Sequence, residues 1–260
     1  MKQTILTSKQ SDLLENLIAR YGQIVSIEQI HEQARENWDL QQTKNIVTKL
    51  VRNGWLVRIK KGLYAISDLS NRGFLSLSTY IVASLLVRDS YISFESALAY
   101  HGMLDQLTKK IISISTSKHK IIKLNNTEYS FINTKDEYYF GWQEVTMDNQ
   151  TARIAYAEKA LVDMIHFHRS KYSVDLVIEK LKEHRDSLDI KRLNEFAGKM
   201  STVTIKTFGF IFDLTGIDSS HIYELIRGNN VTLKMLSDDT KFNSKWRLYY
   251  DEYFDKYREG

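Results

Sequence analysis

The sequence predicts an α+β fold: a winged helix-turn-helix at the N-terminus, then a larger part that is mixed α/β first and helical afterwards. Three observations carry this. Capping signals open three short amphipathic helices before residue 53, and a basic hairpin pattern follows at once. Further along, strand-like runs between Ile111 and Ala155 give way to a helical period from Glu158.

The helices come first. Thr7 with Gln10, Ser26 with Gln29, and Asp39 with Gln42 each set a capping side chain three residues before a glutamine. That spacing lets the two side chains satisfy each other's backbone N–H groups at a helix start. Leu13, Leu14, Leu17, Ile18 and Tyr21 form the apolar stripe of the first helix, and Ile27, Ile30 and Ala34 that of the second. In the third, Ile46, Val47, Leu50 and Val51 face inward and Gln41, Gln42, Lys44, Asn45, Thr48, Lys49 and Arg52 face out. Gly54 ends that helix. Trp55, Val57 and Ile59 then alternate with Leu56, Arg58 and Lys60, the period of a strand. Lys61-Gly62 turns the chain and Leu63 to Ile66 returns it.

From Leu40 to Ile66 there are six basic residues and no acidic one. A helix and a hairpin of one charge sign can meet a polyanion on two sides, and lysine and arginine supply the phosphate term of DNA affinity. Glutamine and asparagine pair bidentately with adenine. Because the first turns of such a recognition helix enter the major groove, Gln41, Gln42, Lys44, Asn45 and Thr48 are assigned to base reading. Lys49, Arg52, Arg58, Lys60 and Lys61 are assigned mainly to phosphates. The alternatives are a merely solvated face and a winged helix that binds protein.

Charge divides the chain in the same place. Residues 1–72 hold 11 Lys and Arg against 7 Asp and Glu, while the remaining 188 residues hold 25 of each. The net charge of +4 therefore lies wholly in the first part, as expected of one part that meets nucleic acid and another with different work. The most apolar stretch, Tyr80 to Val87, is far short of the roughly 20 residues of a membrane span. MKQTILTSKQ lacks a signal peptide's apolar core, so a cytoplasmic location is expected. Without cysteine there is no disulfide or thiolate chemistry.

The predicted linker is SDLSNRG, Ser67 to Gly73, which divides the chain into 1–72 and 73–260. A helix from about Leu75 to Val87 and a short one capped by Ser93 come next. Strand-like runs follow at Ile111–Ser115, Lys120–Leu124, Glu128–Ile132, Tyr138–Met147 and Ala152–Ala155, placing a small sheet within about 90–157. Residues 158–260 read as helical. At the end, Trp246, Tyr249, Tyr250, Tyr253, Phe254 and Tyr257 fall on one face of a helix, packed on the protein's own body or on a partner.

Two clusters invite a chemical reading. Lys109, Lys110, Lys118, Lys120 and Lys123 form an acid-free run, read either as exposed strand ends or as a second cationic surface for a partner. Asp163, His166 and His168 resemble an acid–base or metal set, but residues two apart point to different faces of a helix. No catalytic residue, metal site or cofactor is predicted.

Three segments, GWLVRIKKGLYAI (Gly54–Ile66), YISFESALAYHGM (Tyr91–Met103) and AYAEKALVDMI (Ala155–Ile165), resemble the AbiEi antitoxins in the family's order. The proline that often follows the family's wing is absent here. The resemblance implies a winged helix that represses its own operon by binding operator inverted repeats in double-stranded DNA. It also implies a C-terminal domain that counters a nucleotidyltransferase-like toxin, AbiEii, in type IV abortive-infection systems directed against phage. In those systems the two proteins need not form a stable complex. Two other readings stay open: a stand-alone winged-helix regulator, and a nucleic-acid-processing enzyme with a winged-helix targeting module. Against the enzyme, the acidic residues are scattered and no phosphate-binding glycine loop is present.

Overall fold

The computed structural model describes residues 5–67, 77–105 and 109–258. The chain forms two compact units, Met1–Arg88 with Lys123–Thr127, and Asp89–Ile122 with Glu128–Gly260. Most of the predicted linker lies outside the described residues.

The first unit starts with α1 (Ser8–Tyr21), β1 (Ile24–Ser26), α2 (Ile27–Ala34) and α3 (Leu40–Arg52). All three capping boxes form: Thr7, Ser26 and Asp39 each accept from the backbone N–H three residues on, and the glutamine there accepts in return. The hairpin of β2 (Leu56–Lys60) and β3 (Leu63–Ile66) completes a three-stranded sheet in the order β1-β3-β2. Gly62 has φ of +79°, a left-handed turn conformation that suits glycine. Leu13, Leu14 and Leu17 of α1, Ile30 and Ala34 of α2, and Val47 and Leu50 of α3 share one core with Trp55, Leu56 and Ile66. Ile18, expected in the apolar stripe, is instead exposed. Strand β1, only three residues long, has no counterpart among the elements expected from sequence.

One strand departs from simple alternation. Leu56, Val57 and Ile59 are all buried, so β2 is covered on both sides. Helix α4 (Thr79–Leu86), shorter than the expected helix, packs against it. Ile59 is buried between the exposed Arg58 and Lys60, and the register slips between those two, as at a bulge.

Next along the chain come β4 (Ser90–Ile92), α5 (Phe94–Tyr100), β5 (Lys110–Ser115), β6 (Ile122–Leu124, of which Lys123 and Leu124 fall in the first unit), β7 (Thr127–Asn133), β8 (Trp142–Met147) and β9 (Gln150–Ala155). The sheet runs β6-β7-β5-β4-β9-β8, with β5–β7 and β4–β9 parallel and β4–β5 and β8–β9 antiparallel. Helices α6 (Ala157–Phe167), α7 (Lys171–Glu183), α8 (Ile190–Gly198), α9 (Thr202–Thr215) and α10 (Ser220–Leu225) follow. A second small sheet of β10 (Leu233–Lys234), β11 (Lys241–Asn243) and β12 (Leu248–Tyr250) comes last, before a 3-10 turn at Glu252–Tyr257.

That end of the chain corrects the sequence reading. The aromatic spacing is not a helical face: Arg247 takes a left-handed φ of +47°, and Leu248–Tyr250 is a strand lying between β10 and β11. Pairing in that small sheet overrides the apparent period. Trp246, Tyr250 and Phe254 are nonetheless buried in the protein's own body. The Tyr253 and Tyr257 hydroxyls donate to Asp175 of α7.

Two of the three family-like motifs meet in a buried ion pair. Lys159 and Asp163, one turn apart on α6, are fully buried and bonded to each other. Asp163 Oδ2 accepts from Ser93 Oγ at 2.7 Å and from the Tyr91 hydroxyl at 3.1 Å, and Lys159 Nζ donates to that hydroxyl at 3.0 Å. Ser93 therefore spends its side chain on Asp163 and not on capping α5. Burial lowers the Lys159 pKa and raises that of Asp163, each opposed by the attraction between them. Gly141 lies against the Lys159 stem: a Cβ there would stand 2.9 Å from it, at a φ of +79°.

Candidate nucleic-acid interface

Helix α3 displays the predicted residues in two ways. Gln41, Asn45, Thr48 and Arg52 recur at i, i+4, i+7 and i+11, which is one stripe of an α-helix. Lys44 and Lys49 flank it, and all six are exposed. The apolar opposite side fixes this orientation, since Val47 and Leu50 are buried. Gln41 Nε2 donates to Asn45 Oδ1 at 3.4 Å, a weak contact that a base edge can replace. Thr48 donates to the Lys44 carbonyl at 2.9 Å. Gln42 differs: its Oε1 accepts from the Asp39 backbone N–H at 3.0 Å, so it closes the helix start.

The cations of this face lack counter-ions. Lys44, Lys49, Arg52, Arg58 and Lys61 make no side-chain hydrogen bond or ion pair among the described residues, and all are exposed. Unpaired surface cations keep their full attraction for phosphates. Lys60 is the exception. Its ammonium donates to the Leu86 carbonyl at the end of α4 at 3.4 Å, and burial, then the nearby Arg88, hold its pKa below the usual lysine range. The hairpin turn is fixed on its other side as well, where the Gly62 carbonyl accepts from the Ile27 N–H at 2.8 Å.

The remaining candidates are spread out. Lys110 begins β5, directly after Lys109, whereas Lys118 and Lys120 follow its far end, roughly 17 Å along the strand. Lys110 pairs with Glu128 at 3.8 Å. Lys118, Lys120 and Lys123 are exposed. Asp163, His166 and His168 do not converge. Asp163 turns to Lys159, His166 Nδ1 lies 3.1 Å from Thr204 Oγ1, and His168 stacks on Phe94 at 4.5 Å between ring centroids. No group of acidic and histidine side chains able to hold a metal occurs among the described residues. Among them, no helix is long and apolar enough to cross a membrane.

The first unit is thus a winged helix, with an exposed cationic face on α3 and the hairpin. Residues 12–67 match the family described as "Transcriptional regulator, AbiEi antitoxin", a match that spans the winged helix and the first of the three motifs. That family is one of regulators, not of enzymes. Nearly the whole chain is similar in fold to a crystal structure titled RV2827C protein from Mycobacterium tuberculosis, with a TM-score of 0.69 and 14% identity. The alignment covers 95% of this chain and 92% of that one. A search of curated proteins found no match.

Proposed function

We propose that this protein is a DNA-binding antitoxin that represses its own operon. The winged helix would hold operator inverted repeats in double-stranded DNA. Helix α3 would lie in the major groove, with Gln41, Lys44, Asn45 and Thr48 at base edges. Lys49, Arg52, Arg58 and Lys61 would meet phosphates. Gln42 and Lys60 are reassigned to support, the first holding the start of α3 and the second tying the wing to α4. The DNA-binding unit is accordingly taken to extend through α4 to Arg88 and not to end near residue 72. The second unit is assigned to counteracting an AbiEii-like nucleotidyltransferase toxin in the cytoplasm, as in type IV systems of phage defence. The observation that carries the reading is the unpaired cationic face inside the segment that matches a family of antitoxin regulators.

The test is a growth assay of cells carrying an inducible cognate toxin beside the wild-type or variant protein, paired with a promoter reporter. Lys44→Ala with Arg52→Ala should abolish repression yet still protect the cells. If every variant that cannot bind DNA also fails to protect, the two-function reading falls, leaving a regulator that limits toxin synthesis. That simpler reading draws on one observation: the family match ends at residue 67, before the second unit begins. A nucleotidyltransferase-like reading frame beside the gene favours the antitoxin, and its absence favours the lone regulator.

A further inference from the structure

The second unit holds a cleft of about 800 Å³ between the corner joining α6 to α7 and the turn that follows β10. This is within the size range of pockets that take small organic molecules, roughly 300–1,000 Å³. Arg169 lies at that corner, half-buried. It makes no hydrogen bond and no ion pair among the described residues.

That isolation is unusual in this unit. Arg153 pairs with Glu144, Arg192 with Glu158, Arg227 with Glu224 and Arg258 with Asp255. Arg185 donates to the Thr215 and Gly216 carbonyls, and Arg247 to Thr232. Arg169 alone has no partner among the described arginines of the unit. Burial pulls its pKa down. A partly desolvated guanidinium without an acceptor carries a cost that a bound oxyanion would relieve.

The other charges of the cleft are largely engaged. Lys171 pairs with Asp251 at 2.5 Å, Lys234 donates to the Ser237 carbonyl at 3.1 Å, and the Asp239 carboxylate accepts from the Leu236 N–H at 2.6 Å. Asp238 is exposed. His166, beside Arg169, is held neutral: burial, then Lys159 and Arg169, bring its pKa down to about 4. Phe167 and Leu236 supply apolar wall. The cleft thus offers one uncommitted guanidinium beside surface suited to a carbon skeleton.

We propose that this cleft binds a small organic oxyanion, its phosphate or carboxylate group seated on the Arg169 guanidinium. The site is separate from the α3 face and does not depend on the DNA-binding reading. Full-length protein should be titrated calorimetrically with phenyl phosphate, benzoate and inorganic phosphate. At least one of the two aryl anions should bind at a single site and more tightly than inorganic phosphate. Phenyl phosphate alone would identify a phosphomonoester as the ligand class, benzoate alone a carboxylate. Arg169→Gln should weaken binding about tenfold or more, the scale of a lost charged hydrogen bond. Arg169→Lys should fall between, keeping the charge but losing the planar fork. Amide shifts in the wild-type protein should centre on residues 166–171 and 234–239, a readout that stands whether or not the variants fold. Failure of both aryl anions to bind at millimolar concentration, equal binding by Arg169→Gln, or shifts centred on α3 and the wing would overturn the proposal.

Discussion

Charge is handled in opposite ways in the two units. On α3 and the hairpin, five cations face solvent without a partner among the described residues. In the second unit two fully buried charges, Lys159 and Asp163, are enclosed with Tyr91 and Ser93 until each has a bonded partner. The cationic face and the buried pair differ in whether the fold itself uses their charges. A cation the fold does not need is free for a partner, and a buried one must be matched inside.

The sharpest break in this comparison is inside the second unit. Lys159→Met strands a buried carboxylate and is expected to lower stability by about 3–5 kcal/mol. Lys159→Met with Asp163→Leu removes both charges and should recover most of that loss. Urea unfolding of the two variants measures the difference; equal losses would mean that the pair is not coupled.

Next in size is the cover on the wing. Val57 and Ile59 are buried on β2 where α4 packs, and burying such a side chain is worth about 1.5–3 kcal/mol. A fragment ending at Arg88 should fold and bind the promoter, while one ending at Arg72 should melt at a clearly lower temperature. Identical melting curves would remove α4 from the unit's core.

On the cationic face itself, Gln41→Ala and Asn45→Ala should each narrow the gap between operator and random DNA by about 1–3 kcal/mol, because base contacts and not phosphate contacts carry specificity. Competition gel shifts would reveal it, and unchanged discrimination in both variants would displace the stripe from the groove. The smallest expected difference separates neighbours. Lys61→Ala should reduce the slope of log affinity on log salt by about 0.9. Lys60→Ala, whose ammonium rests on the Leu86 carbonyl, should leave that slope nearly unchanged. Equal slopes for the two would return Lys60 to the phosphates.

Local signals are the legible ones. The capping boxes at Thr7, Ser26 and Asp39 announce three helix starts because they act within four residues, and all three form. The exposed stripe of α3 is readable for the same reason: a buried opposite side and a 3.6-residue period fix it. What depends on distant parts of the chain is not legible. Leu56 and Val57, adjacent and both apolar, hint at a strand covered on two sides, but nothing local identifies α4 as the cover. As sequence, Lys60 therefore looks like its neighbour Lys61. In the same way, the network of Tyr91, Ser93, Lys159 and Asp163 joins residues about 70 positions apart. In the sequence it shows only as two family-like motifs without a stated physical role. The C-terminal aromatics mislead because pairing of β12 with strands on both sides outweighs a helical spacing.

The hairpin turn is held at both flanks, by the Ile27 N–H on the Gly62 carbonyl and by Lys60 on the end of α4. A wing tied down in this way would have little conformational freedom to surrender on the DNA binding proposed for it. Under the proposed function, the adjustment would fall on the nucleic acid, whose groove width and bendability vary with sequence even where no side chain touches a base. Operators would thus be sorted partly by how cheaply they deform to a rigid clamp. Calorimetry of complex formation should accordingly lack the large negative heat-capacity change of coupled folding.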